Sequence, residues 1–282
     1  MSSITHVADT ALWVAHYRGV ESRRADALFQ DPLAEKLSGL EGQKIATSMP
    51  YPHMLAWIMA IRTVAIDRFI YEAISDGVDA VLNLGAGLDT RPYRMDLDPK
   101  LRWIEVDYPS MIDFKLARLG DAKPQCQLER YALDFSQRER AQELYKKIGQ
   151  GSRRILVLTE GVIIYLSREQ AGMLAEDLMA VPQICYWVQD YRDSSDGAWR
   201  SPKRLQRKMK KAPFLFEVPN TSDFFAKYGW NTKKRVYSLD LARELQRPFP
   251  LHFPWNLLFR LIPKARFDRM KQASGYLMLE RA

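Results

Sequence analysis

Residues 80–91 read AVLNLGAGLDTR, a short apolar run that turns abruptly into a glycine-containing corner, and no other stretch limits the possible folds as much. Val81, Leu82 and Leu84 have the aliphatic content of a strand buried on both faces, and Gly85 and Gly87 end the run. A buried parallel strand ending in a tight loop implies an α/β sheet. Glycine at the corner lets backbone approach a ligand without a Cβ in the way, and a helix starting just beyond is expected to aim free N–H groups and a positive dipole end at that ligand. A nucleotide-like cofactor suits this geometry. The dinucleotide fingerprint wants a third glycine or alanine where Thr90 stands, so a nicotinamide or flavin loses weight.

Support comes 22 residues after Gly85, where LRWIEVD (101–107) alternates and ends in an acid. This is the pattern of a second strand whose terminal carboxylate, Asp107, can accept two ribose hydroxyls. QLERYALD (127–134) reads as a third strand ending in Asp134, RILVLT (154–159) as a fourth running into Glu160, and 184–190 as a fifth ending in Asp190. Helices are expected between them: 111–119, 137–148 and 167–180, the last opened by a capping box of Ser167 and Gln170. Strands alternating with helices predict a parallel sheet covered on both faces, with its ligand beyond the carboxyl ends of the strands. Four strand-end acids on one rim suit a cationic or polyhydroxyl ligand.

The N-terminal part is predicted helical from Val7 to Ala25, then again from Asp31-Pro32 through Leu37, with a loop over Gly39, Gly42 and Pro50 to Pro52. A long, largely covered helix follows from Met54 to Ile74, interrupted by Arg62, which can pair with Asp67 or hold a carboxylate bidentately. Beyond Asp190 the rhythm changes. Between Arg200 and Lys211 there are seven basic residues, six of them at helical spacing on one face (200, 203, 204, 207, 208 and 211). Such a stripe can meet an anionic surface, but it lacks the interleaved aromatics that stack bases, which argues against nucleic acid. A strand near Arg235 to Leu239, a helix to Gln246, a proline-rich loop and a last strand, 276–280, complete the chain; that last strand suits an antiparallel pair closing the sheet.

At 282 residues and 47% apolar content, one domain with insertions is expected. The best apolar run, 54–61, is far shorter than the roughly 20 residues of a membrane span, and the first residues lack the basic and apolar regions of a signal peptide. Cys126 and Cys185 have no metal-ligand spacing, so no metal site is expected and a reduced, cytoplasmic protein is the plain reading. The formal charge of +8 predicts affinity for anions of some kind.

Taken together, TALWVAHYRGVESRRADALFQDPLAEKL, IRTVAIDRF, NLGAGLDTRPYRM, WIEVDYP, ALDF, LTEGVIIYLSREQ and the terminal GYLMLERA resemble the leucine carboxyl methyltransferase family and its bacterial relatives, which include polyketide O-methyltransferases. The resemblance covers about residues 7–190 and the last strand. It implies a class I, Rossmann-like methyltransferase fold with a seven-stranded sheet and helices on both faces. A single domain over 1–282 is expected, with an N-terminal helical cap (1–50), and the stretch 191–266, which carries none of these motifs, is expected to be an inserted lid around the acceptor. The implied cofactor is S-adenosylmethionine, contacted by Arg62 (methionine carboxylate), the motif loop Gly85, Ala86 and Gly87, Asp107 (ribose), Asp134 with Phe135 (adenine), and Glu160. Tyr165 matches the tyrosine of the EGVxxYL block, and a lysine-arginine pair that holds the acceptor in eukaryotic members falls on His16-Tyr17-Arg18 here. Tyr165 and Arg18 are therefore the candidate catalytic residues.

The expected activity is transfer of the sulfonium methyl to a carboxylate or hydroxyl of a small natural-product-type acceptor. A carboxylate needs no general base, and His6, His16, His53 and His252 all lie outside the motif blocks. The rival reading is a cofactor-binding module without turnover that docks RNA or another anionic surface through the basic 200–211 helix.

Overall fold

The structure, a computed structural model, describes residues 9–194, 203–250 and 262–282. Its framework is one mixed sheet in the order β3-β2-β1-β4-β5-β7-β6. The strands are β1 (Ala80–Leu84), β2 (Arg102–Asp107), β3 (Gln127–Ala132), β4 (Ile155–Thr159), β5 (Ile184–Arg192), β6 (Trp230–Tyr237) and β7 (Ser274–Arg281). β1 to β5 run parallel, and β7 lies antiparallel between β5 and β6. Every residue of β1 and β4 is buried, as a central parallel strand covered on both faces requires.

The alternation of side chains sorts the core into two layers. Ala80, Leu82 and Leu84 of β1 face a cluster with Leu144, Tyr145 and Leu178 from α6 (Arg138–Gln150) and α7 (Arg168–Met179). Val81 faces the other cluster, with Ile66, Phe69 and Ile70 of α3 (Pro52–Ser75). The capping box is formed: Ser167 Oγ accepts from the Gln170 N–H and Gln170 Oε1 accepts from the Ser167 N–H.

Several elements differ from the sequence expectation. α1 (Asp9–Ser22) packs on α2, which runs Pro32–Ser48 and does not stop at Leu37. The chain breaks helical geometry at Gly39 (φ +56°) and then continues. Gly42 marks a crossing, because a Cβ there would stand 2.6 Å from the Leu12 carbonyl oxygen of α1. These glycines permit a bent helix and a close helix contact, with Leu37, Ile45 and Ala46 buried against α1. The helix expected beyond the glycine corner is a single turn, α4 (Arg91–Arg94), so a long helix dipole does not point at the corner. α5 covers Pro109–Leu119.

On the C-terminal side, α8 spans only Lys203–Lys208 and gives way to a turn, with Leu205, Met209 and Ala212 buried, so the basic residues up to Lys211 do not share one helical face. Arg200, at the start of that stripe, lies outside the described residues, as do Val7, His6, His252 and Pro254. The strand expected near 235–239 begins earlier, at Trp230, and Ser238 opens α10 (Ser238–Glu244). α9 (Thr221–Ala226) precedes β6, and α11 (Lys264–Gln272) precedes β7. Among the described residues no helix is long and apolar enough to cross a membrane.

Candidate functional site

At the carboxyl end of β1 the Gly85 N–H still donates to the Val106 carbonyl of β2 (2.8 Å), and the chain then turns with φ +68° at Gly85 and +48° at Gly87. Both values lie in the left-handed region, which glycine enters without a Cβ penalty. A Cβ on Gly85 would also sit 2.6 Å from Val162 Cγ2. Asp107 holds the corner in place: its Oδ2 accepts the Gly87 N–H (2.6 Å) and its Oδ1 the Tyr108 N–H (2.7 Å). Burial pushes the Asp107 carboxyl up, and those two backbone donors with Lys115 offset it only in part.

Behind the corner lies a buried ion network. Arg91 Nε donates to Asp67 Oδ1 (2.6 Å), and its Nη1 donates to Asp89 Oδ2 (2.9 Å) and to Glu160 Oε2 (2.7 Å). Arg94 joins Asp67 from the other side, and Asn83 of β1 donates to Asp89 (2.8 Å). Arg62 of α3 places Nε 2.8 Å from Glu160 Oε1 and Nη1 3.8 Å from Asp190 Oδ2. The Arg62 Nε contact is close but not aligned as a hydrogen bond, and Arg91 Nη2 is buried with no acceptor among the described residues.

Burial alone would raise the Glu160 carboxyl, but Arg91 and Arg62 outweigh it and hold it below the usual value. A depressed acid contributes stability that is present above the unfolded pKa of about 4.3 and is lost as pH falls through the lower folded value. The gap in urea midpoint between the wild type and Glu160→Gln should therefore stay constant from about pH 7 to about pH 5 and narrow below that. A gap that widens on acidification would contradict this assignment.

One cavity of about 780 Å³ collects these groups, a volume typical of a small-molecule site. Its lining includes every sequence-predicted site residue: Arg18, Arg62, Gly85, Ala86, Gly87, Asp107, Asp134, Phe135, Glu160 and Tyr165. Asp190 lines it too and accepts the Gly161 N–H (2.6 Å). Asp134 caps its own turn, accepting from the Ser136 N–H (2.9 Å). Arg18 points its Nε at Asp31 (2.8 Å), the N-cap of α2, and donates to the Leu88 carbonyl, so it ties α1 to the glycine corner. Tyr165 packs on Phe214, ring centres 5.7 Å apart, and burial pushes its phenol up to about 12, with a hydrogen bond to Thr10 opposing. It stays protonated at neutral pH.

Sequence reasoning missed Arg91 and Asp89, and it offered Asp67 as a partner of Arg62, whereas Asp67 binds Arg91 and Arg94 and Arg62 meets Glu160 and Asp190. The available signal was the charge content of DTR at the end of a fully buried strand, since buried charges must be paired nearby. It also missed the apolar half of the cavity, lined by Trp13, Trp57, Leu205 and Phe214.

The profile of the leucine carboxyl methyltransferase family matches residues 11–179. A Parafrankia protein provisionally named an S-adenosyl-L-methionine-dependent methyltransferase is 27% identical over 269 residues, which is 88% of this chain and 84% of that protein. A Streptomyces avermitilis protein with a name of the same kind is 31% identical over 181 residues, covering 61% of this chain and 64% of its own length. Among solved structures, a protein from Thermobifida fusca provisionally described as a methyltransferase superposes with a TM-score of 0.58 at 16% identity, over 98% of this chain and 95% of the other. A DUF574 family protein from Streptomyces avermitilis gives 0.55 at 14% identity, over 97% of each chain. At those identities the structures establish the shared fold. The family profile spans more than half of the sequence, glycine corner included, and the chain belongs to the leucine carboxyl methyltransferase family.

Proposed function

We propose that this methyltransferase uses S-adenosylmethionine to methylate an oxygen, a carboxylate or a hydroxyl, of a small natural-product-type acceptor in the cytoplasm. The observation that carries the reading is the joint placement of Arg62, the 85–87 corner, Asp107, Asp134 and Glu160 in the lining of one cavity that also carries Trp13, Trp57, Leu205 and Phe214. The residues suit the cofactor. Arg62 suits a carboxylate, Glu160 suits an ammonium, Asp107 suits a diol, and Phe135 offers an aromatic face to a purine. When bound, S-adenosylmethionine supplies an already activated methyl group. The protein has then to align an acceptor oxygen and strip it of water. Tyr165 and the apolar walls exclude water, and the protonated phenol can donate to the acceptor. Among the described residues lining the cavity there is no histidine or lysine, and Tyr165 is no base at neutral pH, so a hydroxyl acceptor would have to use one of the lining carboxylates, such as Asp190, as its base, whereas an ionised carboxylate needs none.

Incubation with methyl-labelled cofactor and panels of carboxylic acids and phenols should give product, with alkali-labile label marking an ester and stable label an ether. Label in neither panel would sink the proposal. For the binding half, Asp107→Ala should weaken cofactor binding by about 1–3 kcal/mol, because it leaves polar groups unpaired and frees the Gly87 N–H. Calorimetric affinity unchanged from the wild type would remove Asp107 from the cofactor contacts.

A further inference from the structure

We infer that Lys115 is a positioning residue of the cofactor site, the buried cation that keeps the Asp107 carboxylate charged and so able to accept a ribose diol. This rests on the reading of the cavity as a methyl-transfer site. Lys115 comes from α5, which begins two residues after Asp107, and its Nζ meets Glu105 Oε1 at 2.7 Å with both side chains fully buried. Glu105 and Asp107 are two positions apart on β2, so their side chains share one face of the sheet, about 7 Å apart along the strand. Lys115 is not part of the cavity lining, whereas Asp107 is, and the lysine acts through the acid.

The charges on this face do not balance pair by pair. Glu105 carries one negative charge and meets two cations, because Arg130 Nε donates to its Oε2 (2.9 Å) while Lys115 takes Oε1. Asp107 is the reverse case. Its hydrogen-bond partners are the backbone N–H groups of Gly87 and Tyr108, and no cation bonds to it among the described residues. The neighbouring acid Asp89 has its own cation in Arg91 (2.9 Å). The positive charge left over at Glu105 therefore acts on Asp107, where burial and Glu105 disfavour the ionised form and Lys115 favours it.

A buried ion pair is often no more stabilising than apolar residues of the same volume, so stability alone does not account for a lysine here. The ligand chemistry does. A diol donates hydrogen bonds, and a carboxyl accepts fewer of them once it carries a proton. The other ionisable groups around Asp107 are Asp89 with Arg91 behind the corner, Tyr108 and Asp134 beside it, and Arg130 on β3.

The test follows the Asp107 carboxyl carbon by nuclear magnetic resonance on the full chain as pH is varied, the signal being the one that disappears in Asp107→Asn. Calorimetry with S-adenosylhomocysteine, the demethylated cofactor, runs beside it. The titration midpoint should rise by about one pH unit or more in Lys115→Met and fall in Glu105→Gln, opposite signs that a merely structural role does not produce. In Lys115→Met the affinity should drop about twofold or more at about pH 5.5 and match the wild type at about pH 8. The double variant loses one charge of each sign and should titrate near the wild type; with Glu105→Gln it carries the test if Lys115→Met alone fails to fold. Midpoints that stay put in the variants, shifts of the same sign in both single variants, or an affinity loss in Lys115→Met that is equal at the two pH values overturns the inference. A wild type that binds no S-adenosylhomocysteine at any pH removes the methyl-transfer reading and this role with it, whereas binding with an Asp107 titration indifferent to the variants removes Lys115 alone.

Discussion

Replacing Arg91 by methionine is expected to lower the stability of the protein by about 3–5 kcal/mol, the cost of stranding buried charges whose partner is gone. Arg91 is 3% exposed and joins Asp67, Asp89 and Glu160 at once. Methionine has similar reach and fills the space, so the loss isolates the charge. Urea denaturation followed by fluorescence measures it, and the double change Arg91→Met with Glu160→Gln should recover part of the loss, since one stranded carboxylate is then neutral. A single-mutant loss below about 1 kcal/mol would mean that the acids are satisfied without Arg91 and that the network does not hold the corner.

The second large effect is expected at the corner itself. Gly85→Val should raise the dissociation constant for S-adenosylmethionine about 100-fold or more. Left-handed backbone costs a residue with a Cβ about 1–2 kcal/mol. Forcing side-chain atoms into packed space adds about 1–3 kcal/mol. The position has both problems, φ +68° and a Cβ site 2.6 Å from Val162 Cγ2. The corner can escape only by shifting, which pulls the Gly87 N–H off Asp107. Trimming the obstacle with Val162→Ala in the Gly85→Ala background should relieve the steric part and leave the backbone part. Calorimetry on the variants that unfold cooperatively decides the matter, and wild-type affinity in Gly85→Val would show that the cofactor does not depend on this corner.

The sheet was readable because its signals are local. Buried strands 81–84 and 155–159 are apolar but for Asn83 and Thr159; Asp107 ends β2, Asp134 and Glu160 come just after β3 and β4, and Asp190 lies two residues before the end of β5, which runs on to Arg192. The Ser167 and Gln170 cap needs two residues three apart, and it formed as expected. Elements went wrong where tertiary contact overrode a local sign. Gly39 and Gly42 read as loop residues, yet α2 continues through them because burying Ile45 and Ala46 on α1 outweighs the propensity cost. The turn after Gly87 carries Pro92 and ends at Met95, so the helix expected beyond the corner is a single turn. The basic stretch near Lys203 has helical spacing on paper, but Met209 and Ala212 turn inward to the core and end the helix first.

By itself the sequence determined the α/β class, the glycine corner, and a rim of acids at the strand ends, because strand period and glycine backbone freedom act over a few residues. Tertiary structure decided what those acids meet. Arg91 and Glu160 are 69 positions apart and only the parallel pairing of β1 with β4 brings them within 2.7 Å. The pairing of β4 with β5, with the 214–216 strap, places Arg192 over Phe214, which in turn packs on Tyr165. Coulomb attraction and burial depend on distance through space, and a one-dimensional pattern carries no measure of it.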